Sequence, residues 1–225
     1  MSDVTDLAVT AALLGDPARA AMLQALMDGR ALTAKELAFA AHVSPQTASG
    51  HLARLTEASL LSVAAQGRHR YFRLASPAVA EMVEAIMAVA SQTRPEPRRT
   101  AWKGGEALRT ARTCYDHIAG RLGVAIADRL IEREHVVLTA DGGEVTESGL
   151  GFLVGFGAAP EPGKRIFCRP CLDWSERRPH LAGRVGAAIA CRCFELGWIT
   201  RLRDSRAVAI TSAGHSGLAD TFGIA

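Results

Sequence analysis

The chain has 225 residues, 48% hydrophobic and 22% charged, a composition that excludes a disordered or fibrous protein and leaves room for two small domains. Its net charge of +3 is carried almost wholly by arginine, because lysine occurs only at Lys35, Lys103 and Lys164, and arginine forks suit phosphate or carboxylate partners. The acidic start carries no secretory signal, the longest apolar run (149–160) is too short for a bilayer, and five cysteines, an odd number, fit a cytoplasmic chain with reduced thiols, metal ligands or redox switches rather than a disulfide scaffold.

Residues 4–14 are apolar and suit helix packing, within the domain or across a dimer. Asp16 and Pro17 then cap and open a helix with a core stripe of Met22, Leu23, Leu26 and Met27, ended by Asp28-Gly29. Thr33 with Glu36 forms a capping box for a short helix through Ala40. After a turn at His42-Val43, Ser44 and Pro45 start a second helix reaching about Ala58. Its apolar stripe is Ala48, Leu52 and Leu55, which leaves Gln46, Gly50, Ala53 and Arg54 on the opposite face, flanked by Thr47 and Ser49. His51 lies toward the buried side, where a structural hydrogen bond suits it better than a base. Residues 60–63 and 71–74 alternate as strands around a loop in which Gly67 turns the chain and Arg68, His69 and Arg70 make a basic tip. Helix, turn, helix and ribbon in this order predict a winged helix-turn-helix. Ser76-Pro77 opens one more helix, whose stripe of Val79, Met82, Val83, Ile86, Val89 and Ala90 is wider than one small domain needs, so a partner helix in a homodimer is expected.

Residues 13–76 resemble the ArsR/SmtB family of winged-helix repressors, through Leu14-Gly15-Asp16-Pro17-Ala18-Arg19, Glu36-Leu37-Ala38, the stretch from Ser44 to Leu52, and Gly67-Arg68 before Tyr71. The resemblance implies a homodimer on double-stranded operator DNA whose affinity answers to a chemical signal. Family members that sense arsenic or cadmium carry a cysteine pair where this chain has Ala38 and Ala40. Those that sense zinc carry Asp and His ligands on the helix after the wing, where residues 77–90 offer only Glu81 and Glu84. The signal is therefore expected elsewhere.

Residues 91–105 read as a linker, interrupted by Pro95, Pro97 and Gly104-Gly105 and solvated by Arg94, Arg98, Arg99 and Lys103. They divide the chain into a DNA-binding and dimerisation domain (1–91), a linker (92–105) and an effector-sensing domain (106–225). The last contains an internal repeat: the ten residues from Ile118 return from Leu181 with seven identical positions. Each copy (about 106–157 and 168–222) continues through a helix and a short ribbon to a cap at Thr146 or Thr211 that opens another helix. The fold class expected is mainly α with short β-ribbons (α+β), an N-terminal winged helix-turn-helix followed by two winged-helix-like repeats. Small residues Gly120, Gly123, Gly183 and Gly186 are expected to let the repeat helices approach closely.

Upstream of the copies stand matched Cys-x-Asp motifs, Cys114-Tyr115-Asp116-His117 and Cys171-Leu172-Asp173-Trp174, the second followed by an insertion through His180. In packed copies they would face each other, so the effector site is sought there. Three chemistries fit. Cys114, His117, Cys168, Cys171 and His180 could hold zinc, another thiophilic metal or haem iron, with Cys168-x-x-Cys171 spaced for two thiolates on one metal. The same thiols could be a redox switch. A small organic effector could stack on Tyr115 and Trp174, pair with an Arg177-Arg178 fork, and donate to Asp116 and Asp173. Cys191 and Cys193 read as packing residues. An enzyme using Cys114, His117 and an Asp is the alternative, but no nucleophile elbow, phosphate loop or nucleotide fingerprint accompanies it.

The sequence thus describes a sequence-specific transcriptional regulator, a homodimeric repressor that is not an enzyme, with no required cofactor and no membrane partner, cytoplasmic and associated with the nucleoid. Its recognition helices would enter successive major grooves about 34 Å apart. Gln46 and Arg54 would read bases, Gly50 would permit close approach, and Thr47, Ser49, Arg68, His69 and Arg70 would meet the backbone.

Overall fold

The structure is a computed structural model that describes residues 2–93, 105–139, 142–203 and 205–224. The chain divides into two compact units, Met1–Val83 and Glu84–Ala225.

The first unit contains α1 (Ser2–Leu14), α2 (Pro17–Ala25), β1 (Leu32–Thr33), α3 (Ala34–Ala40), α4 (Pro45–Glu57), β2 (Leu61–Gln66) and β3 (His69–Leu74). Local chemistry fixes its helix starts. The Asp16 carboxylate accepts from the Arg19 N–H at 2.9 Å. Thr33 and Glu36 close a reciprocal box, with the Thr33 N–H on Glu36 at 2.7 Å and the Glu36 N–H on Thr33 at 3.3 Å, and Ser44 accepts from the Thr47 N–H at 3.1 Å. A 3-10 turn, Leu26–Asp28, follows α2 and stops at Gly29, whose φ of 75° suits glycine. Met22, Leu23, Leu37, Ala48, Leu52 and Leu55 form the core, and Phe72 and Leu74 of β3 are buried.

The ribbon is longer than the alternating pattern indicates. β2 and β3 pair from Leu61↔Leu74 to Gln66↔His69, so the turn is only Gly67-Arg68. Beyond Ser62 and Tyr71 the residues of both strands are exposed, and without a buried face there is no alternation to read. β1 adds a third strand in the order β1-β3-β2.

The helix α5 (Pro77–Thr93) runs across the division. The division between the compact units falls at Val83/Glu84, inside α5, and Glu84 meets residues of the second unit, described below. Of the linker, residues 94–104 lie outside those described.

The second unit contains α6 (Gly105–Thr110) and two copies of one plan: β4 (Arg112–Cys114), β5 (His117–Ala119), α7 (Gly120–Glu132), β6 (Val136–Leu138), β7 (Gly143–Val145), α8 (Glu147–Phe156), and then β8 (Arg169–Leu172), β9 (Pro179–Ala182), α9 (Gly183–Glu195), β10 (Ile199–Arg201), β11 (Val208–Ile210), α10 (Ser212–Phe222). Thr146 and Thr211 cap α8 and α10 by accepting from the Gly149 and Gly214 N–H at 3.1 and 3.0 Å. The opening hairpins β4/β5 and β8/β9 are the addition to what the sequence indicates. The copies exchange partners: α7 packs on β9, and α9 packs on β5. Leu122, Ile126, Leu130, Val185, Ile189, Cys193, Leu218 and Phe222 fill one shared core.

The glycines serve a different approach from the one expected. A Cβ on Gly123 would come 2.3 Å from the Ile118 carbonyl oxygen and 3.6 Å from the His180 Cβ, and one on Gly186 would come 2.3 Å from the Leu181 oxygen and 3.1 Å from the His117 Cβ. Bare backbone thus seats each helix against a hairpin rather than against the other helix. Among the described residues no helix is long and apolar enough to cross a membrane.

Candidate functional site

Each opening hairpin pairs one cysteine with one histidine across its strands, Cys114↔His117 at the end of the first and Cys171↔His180 one pair short of the end of the second. In the first hairpin only Tyr115-Asp116 lies between them, Tyr115 with φ 61°; in the second, the inserted loop does. Because β5 and β9 are also neighbours, the two pairs meet. One ligand atom from each of Cys114, His117, Cys171 and His180 lies within 4.8 Å of all the others, and all four residues are buried. The two imidazole Nε2 atoms stand 3.1 Å apart.

The Asp of each Cys-x-Asp motif backs the histidine of its own hairpin. His117 Nδ1 is 3.3 Å from the Asp116 carboxylate, which also pairs with Arg165. His180 Nδ1 is 3.8 Å from Asp173, a carboxylate already committed to Arg112 at 2.7 Å, the Gly120 N–H at 2.7 Å and the Ser175 N–H at 2.8 Å. Buried His180 Nδ1 consequently has no hydrogen-bond partner among the described residues. Carboxylates behind imidazoles fix tautomer and ring orientation at metal centres.

The electrostatics are those of ionisable groups crowded together in a buried cluster. Hydrogen bonding from the Cys171 thiol, against the cost of burial and with help from both histidines, holds Cys114 well below the ordinary thiol range, while the same bond and burial hold Cys171 well above it. Burial would lower His117, but its bonds to Asp116 and Cys114 raise it to about 10. Burial and the neighbouring His117 charge lower His180.

Sequence reasoning named Glu84 only to set it aside with Glu81, expecting the signal elsewhere. Its carboxylate oxygens lie 3.3 Å from the Cys114 Sγ and 3.5 Å from the Cys171 Sγ, 3.9 Å from His117 Nε2, and 3.2 Å from the Arg169 guanidinium. Burial, then the nearby Cys114 charge, raise its carboxyl to about 7. The available signal, two acids on a largely apolar helix, did not single it out from Glu81. Arg112 and Arg169, each two residues before its cysteine, extend the repeat to Arg-x-Cys-x-Asp and were missed.

Other candidates fall outside the cluster. Cys168 does not share a site with Cys171: it belongs to the apolar core, where burial raises its thiol to about 11. Cys168 lies in a bend just before β8 and Cys171 within that strand, and the two side chains are buried in different apolar clusters. The Trp174 ring lies 4.2 Å from the Arg112 guanidinium, and Tyr115 lies beneath Arg165. The Arg177-Arg178 fork is divided, with Arg178 paired to Asp128 at 2.6 Å. Cys193 is a core residue as expected, whereas Cys191 is exposed. Four mutually crowded donors leave no slot for a porphyrin. They do fit a tetrahedral ion, for which two thiolates and two imidazoles are a complete set.

In the first unit Gln46, Thr47, Ser49, Gly50 and Arg54 all lie on the exposed side of α4, and Arg68, His69 and Arg70 are exposed at the ribbon tip. The Thr47 hydroxyl is bonded to Ser44 at 2.9 Å, and the Ser49 hydroxyl donates to the Pro45 oxygen at 2.9 Å. The Ser49 hydroxyl must leave that partner to donate to a phosphate, whereas the Thr47 hydroxyl can accept from Ser44 and keep its own proton for one. His51 is 3.4 Å from the Arg19 guanidinium.

A helix-turn-helix domain family model matches residues 14–64. Over 212 residues, 93% of each chain, the sequence is 42% identical to the HTH-type transcriptional regulator YdfF of Bacillus subtilis (strain 168). Among solved structures, the homodimeric winged helix-turn-helix domain of Mb0332 from Mycobacterium bovis, titled a possible ArsR-family regulator, is similar over 40% of this chain and 83% of that one, at 24% identity and a TM-score of 0.38. NolR from Sinorhizobium fredii is similar over 39% and 87%, at 20% identity and a TM-score of 0.37.

Proposed function

Since this chain belongs to the HTH-type transcriptional regulators, a DNA-binding family, we propose that it is a homodimeric repressor of the ArsR type whose hold on operator DNA is set by a thiophilic divalent metal ion. The observation that carries this reading is the convergence of Cys114, His117, Cys171 and His180. Charge supports a divalent ion. Asp116, Asp173 and Glu84 are paired with Arg165, Arg112 and Arg169, so two thiolates and two neutral imidazoles leave two negative charges for the ion to cancel. A monovalent ion would leave one charge buried and uncompensated, at a cost of several kcal/mol. Zinc is the simplest occupant.

Dimerisation is supported by apolar residues exposed in the single chain, Val4, Leu7 and Val9 on α1 and Ile86 and Val89 on α5. Repression is the sense the family resemblance implies, in the cytoplasm where the DNA is. In this reading Gln46 and Arg54 face bases and Arg68 and Arg70 face phosphates.

The test is fluorescence anisotropy on an operator selected from random duplexes, with elemental mass spectrometry of the same anaerobic sample. Near one zinc per chain, and a shift in operator affinity of about 5–150-fold on zinc addition, are expected. Both should disappear in Cys171→Ser. A wild type that takes no zinc, or that holds operator equally with and without it, overturns the metal reading. Arg54→Ala should relax base preference by about 1–3 kcal/mol, whereas Arg68→Ala should weaken all duplexes alike and reduce the salt slope by about one.

A further inference from the structure

We propose that Glu84 reads whether the four-donor site is filled and passes that state along α5. The inference rests on the metal reading above and concerns how occupancy leaves the site.

Glu84 is the first residue of the second unit, and α5 continues without a break from residues of the first. Its side chain is buried, and it spans the cluster: one oxygen lies against the Cys114 sulfur and the other against the Cys171 sulfur, at 3.3 and 3.5 Å. A thiol proton is the only hydrogen-bond donor a cysteine side chain has. Without metal, the thiol side of the cluster can donate to Glu84. Arg169 holds the same carboxylate from another side at 3.2 Å.

Filling the site removes that arrangement. A cysteine ligates as thiolate and a histidine as neutral imidazole, so the proton held between Cys114 and Cys171 and the one on His117 leave to solvent as the metal binds. Both carboxylate oxygens then face sulfurs that can no longer donate and that bear negative charge. Two thiolates and two imidazoles complete a tetrahedral shell, so Glu84 is not required as a ligand. It retains Arg169 and is pushed from the sulfurs. What moves with it is α5, the helix that leads back into the DNA-binding unit. The residue is therefore a positioning residue that acts through hydrogen-bond exchange, and its free-energy difference between filled and empty site is the coupling an effector needs.

The experiment compares wild type with Glu84→Ala and the near-isosteric Glu84→Gln, all full-length. Zinc affinity is measured by competition with a chromophoric chelator, X-ray absorption reports the ligand shell, and anisotropy measures operator affinity with and without zinc. Both variants are expected to hold one zinc per chain at no less than the wild-type affinity, with two sulfurs and two nitrogens around it, while the zinc-dependent change in operator affinity falls below about twofold in Glu84→Ala. Unchanged coupling in Glu84→Ala overturns the proposal. So does a loss of zinc affinity of about a hundredfold in both variants with an oxygen in the wild-type shell, because Glu84 would then be a ligand. A wild type without zinc or without coupling fails at the earlier step, which separates failure of the metal reading from failure of the role given to Glu84.

Discussion

The two opening hairpins carry one frame, Arg-x-Cys-x-Asp, at residues 112–116 and 169–173, yet their charged residues are spent differently. In the second hairpin Asp173 is fully buried and serves the first repeat, holding Arg112 and the first N–H of α7. In the first hairpin Asp116 is partly exposed and pairs with Arg165, which frees Arg169 to meet Glu84. Sulfurs and imidazoles keep the symmetry of the repeat while the arginines and carboxylates break it. The lesson is that ligand geometry can be duplicated whole, whereas the surrounding charges adapt to whatever helix lies nearby, here α5.

Replacing the two aspartates tests that contrast most sharply. Asp173→Asn leaves the wholly buried Arg112 guanidinium without its carboxylate and should cost about 3–5 kcal/mol, read as a loss in urea unfolding of the metal-free protein followed by circular dichroism. Asp116→Asn removes a partner from a partly solvated pair and should cost about 1 kcal/mol or less. Equal losses would show that the hairpins are not specialised.

The glycines give a smaller difference. Gly186→Ala and Gly123→Ala each drive a Cβ to 2.3 Å from a carbonyl oxygen, but only the former also presses on a histidine Cβ, at 3.1 Å against 3.6 Å. Both should destabilise by about 1–3 kcal/mol, Gly186→Ala the more, and in the same unfolding assay the reverse order would place the tighter fit on the other hairpin.

The histidines should differ in charge. His117, raised to about 10, is imidazolium in the metal-free protein near neutral pH, while lowered His180 is neutral. A group raised on folding stabilises fully below its unfolded value, about 6.5, and that contribution fades as pH climbs toward 10. Metal-free protein should thus lose stability across that interval, and nitrogen-detected NMR at pH 7.5 should show one protonated and one neutral imidazole in the cluster. Two neutral rings would remove the distinction.

Much of the first unit was legible because its signals are local. Asp16-Pro17, Thr33 with Glu36, and Ser44-Pro45 each fix a helix start within four residues. The internal repeat likewise placed the Cys-x-Asp motifs opposite each other, since duplication carries geometry with sequence. The hairpins themselves were not legible: β4 and β5 are three residues long and buried throughout, Arg112 and His117 included, so no alternation marks them. Glu84 was out of reach because it lies 30 and 87 residues from the thiols it meets, and sequence spacing carries no record of such contacts. Cys168 misled for the opposite reason, a familiar spacing whose first sulfur is buried in the apolar core, apart from Cys171.

The exchange of partners between repeats also bears on how the chain comes to be folded. Helix α7 rests on β9 and α9 on β5, and His117 meets a residue 63 positions further on. A nascent chain that has emerged only through α8 has its first repeat in full but not the strand that covers α7. The second unit must therefore wait for synthesis to pass β9 before its core can close, and such non-local closure is slow beside the short-range pairing of the winged domain. The DNA-binding unit is consequently the part of the chain that can fold first, before the cysteines and histidines of the cluster have been brought together.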